Sequence, residues 1–256
     1  IEEQAHEMGY EIIVAQTLNN AERETDCIRR LLARQVDGLF IRPVYRPDPS
    51  AGIYEELKKR KPPTVILGHR ALFCSDFPNV ETDDLAAAKA VTEHLLDLGH
   101  RRIACLTGPI FAPWAQERYE GYRRALMEHG LEVDEKLVFQ AGATIEEGAA
   151  AALQFINEQP KATAIIAAND LVAFGAANTL LNQGISIPQD LSVAGFGNVL
   201  SAEYFRVPLT TVRQPKYRRG LAAMESMKSL LAGESVSPKR LPAELAIRKS
   251  TAAPAV

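Results

Sequence analysis

The chain has 256 residues, with 29 Lys and Arg against 32 Asp and Glu for a formal charge of −3; 46% of its residues are hydrophobic and 24% charged. That is the composition of a folded globular protein of one large or two small domains, long enough to bury a core without a metal or disulfide staple. It excludes a disordered chain and a broadly basic surface for neutralising phosphates, and no run of 18 apolar residues predicts a membrane span.

Residues 1–10 read as the second half of an amphipathic helix that ends at Gly9. A strand is predicted at Glu11–Ala15, then a helix with Ile28, Leu31 and Leu32 on one face and Arg29, Arg30 and Arg34 on the other. Apolar runs at Gly38–Ile41 and Thr64–Leu67 read as buried strands. Leu85, Val91, Leu95 and Leu98 stripe a helix that stops at Gly99, and the strand Arg102–Leu106 follows. The loop Gly108–Trp114 carries two prolines and is longer than a usual strand-to-helix connection. Beyond it come a helix marked by Tyr119, Tyr122 and Leu126, the strand Leu137–Gln140 and the strand Thr163–Ala167. A helix through Leu171, Phe174, Ala177 and Leu181 ends at Gly184, and Leu191–Gly195 reads as the next strand. A breaker cluster, Val207–Pro215, precedes a last helix through Leu221, Met224, Met227 and Leu231.

Repeated strand–helix units demand right-handed crossovers and parallel sheets covered on both faces, so the expected class is α/β, doubly wound. The two breaker segments predict two lobes: 1–108 with 215–240, and 109–214 with 241–256. The cleft expected between them, at the carboxyl ends of parallel strands, is where open α/β sheets bind ligands.

Signatures of catalysis fail one by one. Gly195-Phe-Gly197 lacks the third glycine of a dinucleotide fingerprint, where Leu200 stands, and reads as a tight strand-end turn. There is no phosphate-cradling G-x-x-x-x-G-K-[ST] and no G-x-S-x-G elbow. His94 and His100, six apart, read as a partly exposed helix residue and a helix C-terminal group, not as metal ligands. Asp83-Asp84 and Glu146-Glu147 open helices, where acids cap and oppose the dipole. Cys27, Cys74 and Cys105 are odd in number and lack a C-x-x-C, so no disulfide framework or zinc site is expected, and the compartment reads as reducing. Neither a catalytic set, a metal nor a cofactor is expected.

What remains is a set of polar residues at strand ends. Asn169 and Asp170 follow a strand and are either helix caps or ligand contacts. Arg118, near the start of the helix after the long loop, is either a solvated helix charge or a cleft residue; Arg42, past the strand at 38–41, has the same two readings. Asn198 and Gln214 follow a strand and the breaker cluster.

Ala168–Gly175, Gly184–Phe196, Pro208–Pro215, Glu117–Tyr122, Leu98–Ala104, Gln35–Leu39 and Ile247–Thr251 together resemble, in order, the lactose-repressor/galactose-repressor family of bacterial transcription regulators. The resemblance implies a two-lobed, periplasmic-binding-protein-like effector domain without its helix-turn-helix headpiece, the first core strand and the start of the first helix. It implies a cytoplasmic homodimer that meets operator DNA only through the headpiece, with no membrane partner. A small-molecule effector would touch Arg118, Asn169 and Gln214, with Leu18, Arg42 and Phe111 on loops resembling cleft-lining ones. The other reading is the solute-binding protein of a sugar transporter.

Departures from the family pattern sharpen the expectation. Gly197-Asn198 stands where Asp-Asp or Asp-Asn is common, so that a carboxylate is lost, Ala143 where an aromatic often lines the cleft, and Trp114 where a small polar residue is usual. Asn198 and Trp114 are counted with the ligand-binding set, and Ala143, Asp170 and Gly197 at its margin. An arginine kept while a nearby acid is lost predicts a positive cleft suited to an acidic effector, and a cleft-facing Arg118 whose removal leaves the fold intact.

Overall fold

The computed structural model describes residues 1–48 and 51–255. In chain order the elements are α1 (Glu2–Glu7), α2 (Ala21–Ala33), β1 (Leu39–Ile41), α3 (Gly52–Arg60), β2 (Thr64–Leu67), β3 (Asn79–Thr82), α4 (Asp84–Asp97), β4 (Ile103–Thr107) and α5 (Pro113–Glu128). The chain continues with β5 (Val138–Gln140), α6 (Ile145–Glu158), β6 (Ala164–Ala167), α7 (Asp170–Asn182), β7 (Ser192–Phe196), α8 (Ser201–Tyr204), β8 (Thr210–Arg213), α9 (Lys216–Leu231), β9 (Lys239–Leu241) and β10 (Glu244–Ala246). Six predicted strands are present with ends shifted by at most a residue.

The strand expected at Glu11–Ala15 is absent: that segment is irregular, with Ile12, Ile13 and Val14 exposed. Its residues suit a strand, but a strand exists only as part of a ladder, and no described strand lies alongside it. Four strands escaped prediction: β3, whose Asn-Val-Glu-Thr holds a single apolar residue, β8 inside the breaker cluster, and the three-residue β9 and β10.

The chain forms two compact units. The first comprises Ile1–Thr82, Phe111–Pro113 and Pro215–Leu241; the second comprises Asp83–Ile110, Trp114–Gln214 and the chain from Pro242 on. Asp84–Thr107, expected in the first lobe, therefore lies in the second unit, because β4 pairs with β5 and β6 and α4 packs on β8 and β10.

In the first unit the sheet order is β1-β2-β3-β9, all parallel. The two-residue period of a strand sorts its side chains. Leu39, Ile41 and Ile66 pack with Ile28, Ile53, Tyr54 and Leu57, from α2 and α3; Val65 and Val80 pack on the opposite face with Ala223 and Met227 of α9.

The second unit holds a six-stranded sheet, β10-β8-β7-β6-β4-β5, parallel except for the β10–β8 pair. Alternation again splits each strand. Ala104, Leu106, Ile165, Ala167 and Val193 join the core with α6 and α7, whereas Ile103, Cys105, Ala164, Ile166, Ala194 and Phe196 join the core with α4 and α5. Helices α6 and α7 approach so closely that a Cβ on Gly175 would strike the Ile145 carbonyl oxygen and one on Gly148 that of Val172.

His100 departs from its expected role as a helix-end charge. It is buried, with Nδ1 2.8 Å from the Thr163 hydroxyl and Nε2 2.8 Å from the Ala252 carbonyl. A carbonyl only accepts, so Nε2 carries a proton, and burial holds the ring below the ordinary histidine value. The same segment is stitched in by Ser250, whose hydroxyl donates to the Val193 carbonyl and accepts from the Thr210 amide, and by Thr251, 3.0 Å from His94 Nε2.

Candidate functional site

Parallel strands of the second unit end at Thr107, Ala167, Phe196 and Arg213, and the residues that follow them form one polar face. At its centre is a carboxylate that sequence reasoning assigned only to capping. Asp83 is the cap of α4, its Oδ1 accepting from the Ala86 amide at 3.0 Å. Asp84 instead receives Arg118: Nε and Nη2 donate to its Oδ2 at 3.0 and 2.8 Å, and Nη1 donates to the Ala168 carbonyl at 2.6 Å. Gln214 Nε2 donates to the other carboxylate oxygen at 3.4 Å. Three elements far apart in sequence thus meet on one acid.

Arg118 is no solvated helix charge. Its side chain is 13% exposed and that of Asp84 1%. Its guanidinium carbon lies over the Phe196 ring at 3.7 Å from the ring centre and over the Trp114 ring at 4.6 Å, so two aromatic rings pack against the cation. Two expectations are corrected by this geometry. The face is not left positive by Gly197, because Asp84 supplies the missing carboxylate. Nor is Arg118 the loosely packed, cleft-facing charge behind the expectation that its removal spares the fold: it is packed and paired.

Asn169 does both jobs a cap can do: Oδ1 accepts from the Val172 amide at 2.9 Å, and Nδ2 donates to the Ala143 carbonyl at 3.0 Å. The loop at Ala143 is further braced by Glu147, whose carboxylate accepts from the Ala143 and Thr144 amides and is thereby held below the ordinary glutamate range. Asp170 is buried and braces the turn after β7, accepting from the Thr211 hydroxyl at 2.5 Å and the Val199 amide at 2.8 Å. In that turn Gly197 takes φ +133°, open to glycine, and Asn198 follows at +47° with its Oδ1 accepting from Arg248 at 2.7 Å. Trp114, Arg118 and Gln214 are therefore brought together, with Ala143 and Asn169 joined beside them through Ala168. Asp170, Gly197 and Asn198 form the neighbouring turn. Leu18, Arg42 and Phe111 belong to the first unit, each exposed: Leu18 in a left-handed turn, Arg42 directly after β1.

Sequence reasoning missed Asp84, Phe196 and Arg248. Asp84 carried a signal in principle, since one acid suffices to cap α4 and Asp83 already does so.

Residues 92–251 match the family model of the periplasmic binding protein-like domain. The repressor CytR of Escherichia coli is 31% identical over 255 residues, covering 99% of this chain and 74% of that protein. The chain belongs to the LacI family. Among solved structures of LacI-family regulators, a sugar-binding one from Escherichia coli complexed with phosphate superposes with a TM-score of 0.84 at 28% identity, covering 98% of this chain and 90% of that one. The CelR regulator in complex with cellobiose gives 0.85 at 28% identity, with coverages of 97% and 76%. As a LacI-family chain this protein is akin to transcription regulators, and the regulator reading stands over the transporter alternative. Its relatives are not enzymes, and no helix among the described residues is long and apolar enough to cross a membrane.

Proposed function

We propose that this chain is the effector-binding and dimerisation part of a cytoplasmic transcription regulator, acting as a homodimer and meeting operator DNA through a headpiece outside these 256 residues. The observation that carries the ligand site is the meeting of Arg118, Gln214 and Asp84 at the carboxyl ends of parallel strands, edged by Trp114 and Asn169. Such a face offers fixed donors and acceptors suited to a hydroxyl-rich small molecule of sugar size, and the CelR relative with cellobiose supports that class. A ligand alters DNA binding only through unequal affinity for two conformations; swinging them from 1:99 to 99:1 takes about a 10⁴-fold difference. The test is calorimetric titration and thermal melting with a panel of neutral sugars, sugar acids and sugar phosphates. An effector at about 100 times its Kd adds about 2.7 kcal/mol of stability; a panel without heat or melting shift overturns the proposal.

A further inference from the structure

We infer that the solvent face of α2, in the first unit, is a docking surface for an acidic segment of a partner protein. The helix carries Arg23, Arg29, Arg30 and Arg34, all four exposed. Arg23, Asp26, Arg30 and Arg34 fall on one stripe of a helix with 3.6 residues per turn, about 16 Å from first arginine to last. Among the described residues, Arg23, Arg30 and Arg34 enter no ion pair, although the chain as a whole carries a charge of −3. Two local rules are broken on this face. Arg23 stands in the first turn of α2, where the helix dipole disfavours a cation, and Arg30 and Arg34 stand four apart, where like charges repel. A helix arranged for stability alone does the reverse, and an arriving anion relieves both costs.

Arg23, Asp26, Arg29 and Arg30 line an open groove of about 540 Å³. Its walls are held from beneath. Asn20 accepts from the Arg23 amide at 2.8 Å, Arg23 Nε donates to the Gln16 carbonyl at 2.8 Å, and Arg30 Nη2 lies 3.4 Å from the Cys27 sulfur. One carboxylate already touches this face: Glu56 of α3 pairs with Arg29 at 3.3 Å and with Arg60 at 2.8 Å. An incoming glutamate makes from outside the contact that Glu56 makes from within, because a guanidinium is a planar fork matched to a carboxylate. Asp26 selects among anions. Its carboxylate shares the groove with the arginines and repels a compact polyphosphate at short range, whereas single charges spaced along a peptide pass it. The stripe spans about five residues of extended chain, a length that suits a protein segment.

The 256-residue chain is titrated against a labelled peptide of Glu-Ala repeats by fluorescence anisotropy, with a Lys-Ala peptide of equal length, adenosine triphosphate and duplex DNA as comparison probes. The expected result is binding of the Glu-Ala peptide alone, weakened at least roughly tenfold between about 50 and about 200 mM salt. Arg23→Gln, Arg30→Gln and Arg34→Gln together should weaken it at least roughly tenfold with no fall in melting temperature, since repulsion within the helix is removed. Lys59→Gln with Lys61→Gln takes two other exposed cations from the same unit and should hold the affinity within about twofold. Because a misfolded variant also loses binding, Arg30→Glu with Arg34→Glu is titrated with the Lys-Ala peptide, which that variant should take up in place of the acidic one. No binding of the Glu-Ala peptide, or equal loss in the arginine and lysine variants, overturns the proposal. Tighter binding of adenosine triphosphate or DNA overturns the protein partner in favour of a phosphate ligand. A dimer that the arginine variant dissolves gives the face to a second copy of this chain, and overturns the proposal as well.

Discussion

Asp84→Ala isolates the ion pair at the centre of the site. In the folded chain the Asp84 carboxylate is 1% exposed and the Arg118 side chain 13%, so the substitution takes a carboxylate partner from a largely buried guanidinium that keeps its bond to the Ala168 carbonyl and its contacts with two aromatic rings. Breaking a buried pair by removing one partner costs about 3–5 kcal/mol. The two rings retain part of the attraction for the cation, and the low end, about 3 kcal/mol, is expected. In a chain of this size each kcal/mol moves the melting temperature by about 2–4 °C, so a fall of about 6–12 °C should appear in the transition that carries the second unit, measured by scanning calorimetry. Removing both charges, as Asp84→Leu with Arg118→Met, should cost less than either single change, because no orphaned charge remains. Asp84→Ala within about 0.5 kcal/mol of the parent chain, or a double variant as unstable as the sum of the singles, would refute the reasoning.

Burial holds His100 and His94 below the ordinary histidine value, so the folded chain binds fewer protons than the unfolded one: stability is full above about pH 6.5 and falls as acid is added below it, melting curves taken from about pH 7.5 to about pH 5.5 should show the decline, and His100→Gln should flatten it. An unchanged slope in that variant would remove His100 from the effect. Gly175→Ala forces a methyl into the Ile145 carbonyl and should destabilise the second unit by about 1–3 kcal/mol in urea unfolding, whereas a neutral result would mean that α6 can shift without loss. Sedimentation at about 20 µM should give a dimer, and a monomer at that concentration contradicts the proposed assembly.

Where a strand lies buried between covering helices, its pattern survives in the sequence as an uninterrupted apolar run: β4, β6 and β7 were legible for that reason, and the glycines after α4 and α7 marked where helices stop. β3 was not, because Asn79 and Thr82 are buried polar residues and mimic a loop. β8 hid between Pro208 and Pro215, which flank the strand without entering it. At the site, Arg118, Asn169 and Gln214 were found from motifs, and Asn169 caps α7 as its residue type suggested, yet what Arg118 and Gln214 touch was not legible. The partner of Arg118 lies 34 residues upstream and that of Gln214 130 residues upstream, separations across which a local pattern carries no information. A capping acid and a charge-pairing acid look alike in sequence, and their difference is settled only by what folds against them.

Neither unit is continuous in the chain, and this bears on how the protein is made. The first unit waits for α9, whose Ala223 and Met227 close one face of its sheet, and for β9, which pairs with β3. The second waits for β10 and for Ser250, Thr251 and Ala252, which fill hydrogen bonds to Val193, Thr210, His94 and His100. Domains emerging from the ribosome ordinarily fold in turn, the N-terminal one first. Here both remain open until the last residues of this segment have been synthesised, with the strand ends of the second sheet lacking their final partners. Completion of both units is then tied to the synthesis of residues 239–252, and a ribosome stalled before residue 242 holds a chain whose half-built sheets are exposed to chaperones.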